Sequence, residues 1–341
     1  MDLSLVLGNK ILLLISLLIG GVIFVNGWTD APNAITASVS TGALKMRTAV
    51  CIAAIFNFVG AFVMGIVNTS VLESVGNITM MIGEGNNSLL ILGATLASII
   101  IWSVTAWYFG IPTSESHALI SGILGAVLAC GGIFSRDGIS ALKLSAVGLA
   151  LSLPIGGGLG FIFGKITYNI SLNVKSPQMF SIGQRLGACA MSFMHGAQDS
   201  QKFAGVFVAA MIMSKSCEKG SVTNSPLWLI LACAIIMAVG TSVGGYRIIK
   251  KVGIETVELT SERGFAADVA AVVCMCLASL GGIPVSTTHT ATAAVVGAGL
   301  SGHPRKINYK SVREMAIAWL LTFPCCGLIS YSIVKIFLLF F

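Results

Sequence analysis

From Ile11 to Leu44 the chain runs for 34 residues with a single charged side chain, Asp30. As one α-helix this run would extend about 51 Å, against a bilayer hydrocarbon core of about 30 Å, while two full spans need about 40 residues. Neither arrangement fits. The polar stretch N-G-W-T-D-A-P-N at Asn26–Asn33 offers a way out: Gly27 loosens the backbone and Pro32 removes a donor, so a helix broken near Gly27–Pro32 is expected. Unwound backbone at membrane depth survives only against protein or a water-filled cavity. A charged side chain near the bilayer centre costs about 2.5–3.5 kcal/mol, so Asp30 is expected to line a polar pathway.

The rest of the chain is of the same kind. Of 341 residues, 55% are hydrophobic and 10% charged, with mean hydropathy +0.92. Soluble domains carry about 25% charged residues. Apolar runs recur along the whole length, giving roughly ten membrane-embedded segments, some of which need not span. The expected fold class is an all-α polytopic membrane protein with two inverted-topology repeats, broken helices and re-entrant hairpins. The first apolar run lacks the basic start and small-residue cleavage site of a removable signal peptide. The net charge of +7 comes from short connections (Lys45 and Arg47; Arg247, Lys250, Lys251 and Arg263; Arg305, Lys306, Lys310 and Arg313), a positive-inside pattern rather than a nucleic-acid surface. Nine cysteines, mostly within apolar runs, show no zinc-site spacing and read as small buried hydrophobes.

A second stretch repeats the first. Residues Leu186–Met213 are read as apolar except for His195, Asp199 and Lys202, and G-A-Q-D-S-Q-K there aligns with G-W-T-D-A-P-N, placing Asp199 over Asp30 with a matching break. A further motif of the form I-P-x-S-x-x-H occurs at Ile111–His117 and at Ile283–His289. Asp30 to Pro112 is 82 residues and Asp199 to Pro284 is 85. Two unrelated motifs in the same order at near-equal spacing make the halves related. Residues 1–140 form a first membrane repeat, 141–184 a connecting segment and loop, 185–302 a second repeat, and 303–341 a C-terminal membrane segment. Lys45 and Arg47 follow the first signature helix, whereas Asn68–Ser88 holds only Glu73 and Glu84. In the second half Ser214–Pro226 is weakly charged and Arg247–Arg263 is basic. The inside and outside connections therefore swap, as inverted repeats require, with an external N-terminus.

Each I-P-x-S-x-x-H can open a half-helix on its proline, leaving first-turn amides without intrahelical partners and about half a positive charge at the terminus. Thr113, Ser114 and Ser116, with Ser286, Thr287 and Thr288, add hydroxyl donors. Two such ends converging would hold a small oxyanion; the purely structural alternative is that the hydroxyls cap helices. Asp30, Asn33 and Asp199, with Asn26, are hard oxygen ligands for sodium, or else a network that only shapes a kink. Lys202 can neutralise Asp199, face the anion, or snorkel. With Gln201 it joins the anion-binding set. His117, His289 and His195 read as supporting hydrogen-bond groups, His195 four residues before Asp199. Glu115 has no counterpart, since Thr287 stands at its place. Asp268 likewise matches Leu96.

At these residues the chain resembles the inorganic phosphate transporter family, cation-coupled phosphate symporters with two inverted repeats. The family's G-A-N-D-x-x-N-A appears as G-W-T-D-A-P-N-A and, less closely, as G-A-Q-D-S-Q-K. Its P-x-S-x-x-H elements match at Pro112 and Pro284, and G-F-x-x-D is similar at Gly264–Asp268. Thr29 and Gln198 depart from the family's asparagines. The resemblance covers about residues 10–335. It implies symport of inorganic phosphate with sodium or protons, Asp268 among the sodium ligands, no cofactor beyond the co-transported ion, a scaffold that forms a homodimer, and a bacterial or archaeal cell-membrane protein. Sulfate transport, a passive channel, and an intramembrane aspartyl protease built on Asp30 and Asp199 are the competing readings. No G-x-x-x-x-G-K-[ST] motor motif occurs.

Overall fold

The computed structural model describes residues 3–173, 177–216, 225–302 and 307–339. Arg305 and Lys306 of the expected basic cluster, and 217–224 of the connection after the second signature helix, lie outside the described residues. The described residues are almost entirely helical, with one isolated bridge between Val257 and Ile307.

The helices are α1 (Leu3–Gly8), α2 (Lys10–Thr29), α3 (Thr36–Ser40), α4 (Met46–Val67), α5 (Ser70–Thr79), α6 (Asn86–Tyr108), α7 (Glu115–Cys130) and α8 (Arg136–Asn173). They continue with α9 (Pro177–Met213), α10 (Leu227–Ser242), α11 (Tyr246–Ile249, continued by a π turn Lys250–Ile254), α12 (Ser261–Leu280), α13 (Thr287–Leu300) and α14 (Tyr309–Phe337). Among the described residues six stretches are long and apolar enough to cross a membrane, or seven if α10 and α11, bent by 67°, form one span. Their outer faces are apolar, as at Leu17 and Leu320, while Asn26, Asn57 and Asp199 are buried. Apolar outside and polar inside suits a hydrocarbon solvent.

The first expected break is present. α2 ends at Thr29 and tightens into a 3-10 helix over Ala31–Ile35 before α3. Pro32 has no N–H to give the Trp28 carbonyl, so the i→i−4 ladder cannot continue. The second expected break is absent: α9 runs unbroken for 37 residues through Asp199. The local reason is legible. Gln201 stands where Pro32 stands in the first half, and it keeps its amide.

Two sequence-derived connections are helices instead. α5 occupies Asn68–Ser88 and buries Val71, Leu72, Val75 and Ile78, with the Leu72 carbonyl against Gly205 of α9. α11 occupies the basic connection and is seated on Pro32 through Gly245. The boundaries at 140/141 and 184/185 fall inside α8 and α9.

Close backbone contacts recur between the halves. Gly60 of α4 lies on the Phe193 carbonyl of α9, and Gly240 of α10 on the Phe24 carbonyl of α2. Gly196 meets the Asn57 carbonyl as Gly27 meets that of Met237, and Gly125 meets Gly327 as Gly297 meets Gly157. α8 and α14 carry internal prolines, Pro154 and Pro324. α4 and α10 pack antiparallel: Val50 is near Gly244, Asn57 bonds Thr241, and Gly65 meets Ile230.

Candidate functional site

The motif recurring at Ile111 and Ile283 begins one residue earlier than the I-P-x-S-x-x-H pattern. Gly110 and Gly282 adopt φ of 67° and 64° and close α6 and α12. Ile111 N–H donates to the Ala106 carbonyl and Gly110 N–H to that of Trp107; Ile283 and Gly282 do the same to Ala278 and Ser279. This is a glycine-terminated helix end of the Schellman type. The prolines do not start the next helices. Ser114 and Ser286 do, as N-caps whose hydroxyls accept from the His117 and His289 amides at 3.2 and 3.1 Å. A serine that can satisfy a third-residue amide outcompetes proline for the boundary. The structural alternative therefore holds for these two hydroxyl acceptors, although each keeps a proton to donate.

The two helix starts meet. The Ser116 hydroxyl donates to the Val285 carbonyl at 3.1 Å, and the His117 and His289 rings lie 4.5 Å apart, with His289 4.3 Å from Trp319. Against them stand α2 and α9. Lys202 Nζ donates to Asp199 Oδ1 at 2.6 Å, and to Ser116 Oγ and the Val285 carbonyl at 2.7 Å each. Asp199 Oδ2 accepts from Asn26 at 3.0 Å and from Thr287 at 3.3 Å, with His195 Nε2 3.4 Å away. Asn33 donates to the Thr288 hydroxyl at 3.1 Å, which also reaches the Asp30 carboxylate. The Thr29 hydroxyl lies 3.5 Å from Glu115 Oε1. Lys202 is thus ion-paired with Asp199 in this structure.

Most of the expected set thus converges: Asn26, Asp30, Asn33, Glu115, Ser116, His195, Asp199, Lys202, Thr287 and Thr288. Thr113 is buried in the approach to α7. Two expectations fail to join. Asp268, on α12, sits against Gly187, about 18 Å along α9 from Asp199 at 1.5 Å per residue. Gln201, one residue from Lys202 and so about 100° around the helix, turns to the Met64 carbonyl of α4 at 3.3 Å. Residues not anticipated also enter. Asn57 of α4 accepts from His195 Nδ1 at 3.0 Å and donates to Thr241 of α10. Gln198 donates to Ser279 at 2.8 Å. Asn57 stands as one of the few polar side chains in the apolar run Met46–Val67, which is the signal that would have found it.

The cluster is sealed and holds more acids than bases. Asp30, Glu115, Asp199 and Lys202 are at most 3% exposed. Three carboxyl groups face one ammonium. Among the described residues, Asn26 Oδ1, Asn33 Oδ1 and Glu115 Oε2 are buried acceptors without a partner. Unpaired buried acceptors are costly, and oxygen-only sets of this kind suit hard cations. The two helix N-termini meet beside these residues, and helix N-termini suit an oxyanion.

Helix ends meeting at buried polar groups within a polytopic helical bundle suit a membrane transport protein. The comparisons agree. A model of the phosphate transporter family matches residues 26–330. A Bacillus subtilis (strain 168) protein described as "Probable low-affinity inorganic phosphate transporter" is 36% identical over 319 residues, covering 92% of this chain and 93% of its own. A Rhizobium meliloti (strain 1021) protein with the same description is 33% identical over 314 residues, 90% of each chain. A solved structure described as "The sodium-dependent phosphate transporter" shares the fold, with TM-score 0.80 over 98% of this chain and 100% of that one at 22% identity. The chain belongs to the phosphate transporter family.

Proposed function

We propose that the protein is a secondary active symporter that carries inorganic phosphate with sodium, or with protons, by alternating access between two inverted repeats. The observation that carries this reading is the charge balance of the buried cluster. Asp30, Glu115 and Asp199 against Lys202 leave two more acids than bases at the very place where two helix N-termini meet. A phosphate anion entering alone would meet these acids in a low-dielectric setting, where repulsion from each one that is ionised is strong. A cation on Asn26, Asn33, Asp30 and Glu115 removes that repulsion, so each ion makes room for the other. Mutual dependence of this kind is a coupling free energy, and it is reciprocal.

Inversion is supported by the antiparallel packing of α4 on α10, which follow the two signature helices. Two copies of one element lying side by side and antiparallel require a twofold axis perpendicular to them, hence in the membrane plane. Sodium is favoured over protons by the oxygen-only ligand set, and by the sodium dependence of the solved transporter that shares the fold. The test is uptake of labelled phosphate into liposomes under imposed sodium or proton gradients. Uptake against a phosphate gradient when sodium alone is imposed is expected. Downhill flux indifferent to both gradients would identify a passive channel.

A further inference from the structure

We propose that a groove on the basic face of the protein binds an anionic phospholipid, with Arg247 as its phosphate anchor. The groove has a volume of about 560 Å³ and lies between α11, the loop Ile111–Pro112 and the start of α14. Its polar end carries Arg247, Lys250 and Lys251. Two of these cations are already answered: Lys250 lies 3.5 Å from Glu255, and Lys251 lies 2.6 Å from Glu314. Among the described residues no carboxylate pairs with Arg247. Its guanidinium is instead held in place, donating to the Tyr108 carbonyl and lying over the Trp107 ring at 4.9 Å and the Tyr108 ring at 5.5 Å. A planar fork fixed by stacking, with donors left over and no counter-ion, is a phosphate receptor.

The other end of the groove decides what carries the phosphate. Ile317 and Leu321 follow Glu314 down one side of α14 at helical spacing, and with Ile111 they make an exposed apolar wall. From Glu314 to Leu321 the wall descends about 10 Å away from the basic end. A free phosphate would leave that wall bare and most of the volume empty. A lipid with an anionic headgroup fits both ends, and it fits the leaflet: the basic connections mark this face as cytoplasmic, where anionic lipids and juxtamembrane cations attract one another.

The groove also touches the transport machinery. Pro112 in its wall accepts from Trp319 Nε1 at 2.8 Å, and it lies two residues before the Ser114 cap. On the opposite side the Trp107 ring lies 4.2 Å from that of Trp28, two residues from Asp30, while Gly245 of the same turn as Arg247 abuts Pro32. A lipid here would brace the break in the first signature helix and the loop that opens α7.

The test reads lipid retention directly, so it stands apart from the transport reading. The full chain in neutral detergent is supplied with phosphatidylglycerol and phosphatidylcholine of identical acyl chains, and bound lipid is counted by native mass spectrometry. Wild type is expected to retain one phosphatidylglycerol with a preference of about fivefold or more, the weight of one interfacial cation. Arg247→Gln should lose the preference, Arg247→Lys should keep part of it, and Leu321→Trp should lower retention of either lipid by filling the apolar end. Lys45→Gln, on the same face outside the groove, should change nothing. Equal loss in Lys45→Gln would overturn the site in favour of diffuse charge. Displacement of the lipid by millimolar inorganic phosphate would make it a small-anion site. A groove covered by a second copy, seen as a lipid-free dimer that Leu321→Trp dissociates, would refute the proposal equally.

Discussion

Lys202 uses all three of its ammonium donors inside the protein, on Asp199, Ser116 and the Val285 carbonyl. One side chain thereby ties α9 to both re-entrant helix starts. Removing it leaves a buried carboxylate without its cation, so Lys202→Ala is expected to lower stability by about 3–5 kcal/mol, read as a fall in the melting temperature of the purified protein. A melt unchanged from wild type would mean that Asp199 finds another partner. Glu115 makes a different prediction, which rests on the proposed anion site. Among the described residues its Oε2 is a buried acceptor with no donor. Phosphate brings a proton that could satisfy it, whereas sulfate brings only acceptors. In wild type, equimolar sulfate should therefore leave labelled phosphate uptake nearly intact, and arsenate should compete. Glu115→Gln replaces half of the acceptor set by a donor and should narrow the discrimination by about 1–3 kcal/mol, the cost of an unpaired buried group. Sulfate inhibition equal in both proteins would remove Glu115 from the selectivity.

At the scale of elements, one proline distinguishes the two signature helices. Pro32 stops the α2 ladder, and Gln201 lets α9 continue. Pro32→Ala should allow α2 to run through Asp30, displacing the carboxylate around the helix. We expect a protein that inserts and melts normally or slightly higher, yet loses most uptake. Retained uptake would show that the 3-10 turn at Ala31–Ile35 is dispensable. The crossings of α4 with α9 and of α10 with α2 are set by Gly60 and Gly240, each pressed onto a facing carbonyl where a Cβ has no room. Gly60→Ala and Gly240→Ala should both be destabilising by about 1–3 kcal/mol, the range for overpacked sites. A large effect at one and none at the other would argue that the two crossings are not equivalent.

For the molecule as a whole, the proposed inversion can be checked without a transport assay. Lys45 follows the first signature helix and Lys215 follows the second, and both are exposed. In a cysteine-free background, Lys45→Cys should react with an impermeant thiol reagent only from the cytoplasmic side, and Lys215→Cys only from the outside. Labelling of both from one side would mean parallel repeats. Under the proposed alternating access, a site that is at most a few per cent exposed in this structure opens in turn to each face.

Much of this was written along the chain. Long apolar runs exclude a water-soluble fold whatever their neighbours do, because burial in hydrocarbon depends on local composition. The break at Pro32 follows from a missing N–H, and the lack of one in α9 follows from Gln201, although reading Asp199 as the partner of Asp30 had suggested two breaks. The recurrence of I-P-x-S-x-x-H at Pro112 and Pro284 identified both helix starts. What the chain alone could not decide depends on contacts between residues far apart in sequence. Serine rather than proline became the cap because the hydroxyl oxygen meets a particular amide. Lys202 pairs with Asp199 because Asp199, Ser116 and Val285 surround it. Asn57 entered the site from a helix that looked merely apolar. Asp268, matched to the family's acidic element, sits beside Gly187 instead of the cluster, because position along α12 rather than residue type determines which part of α9 a carboxylate can reach.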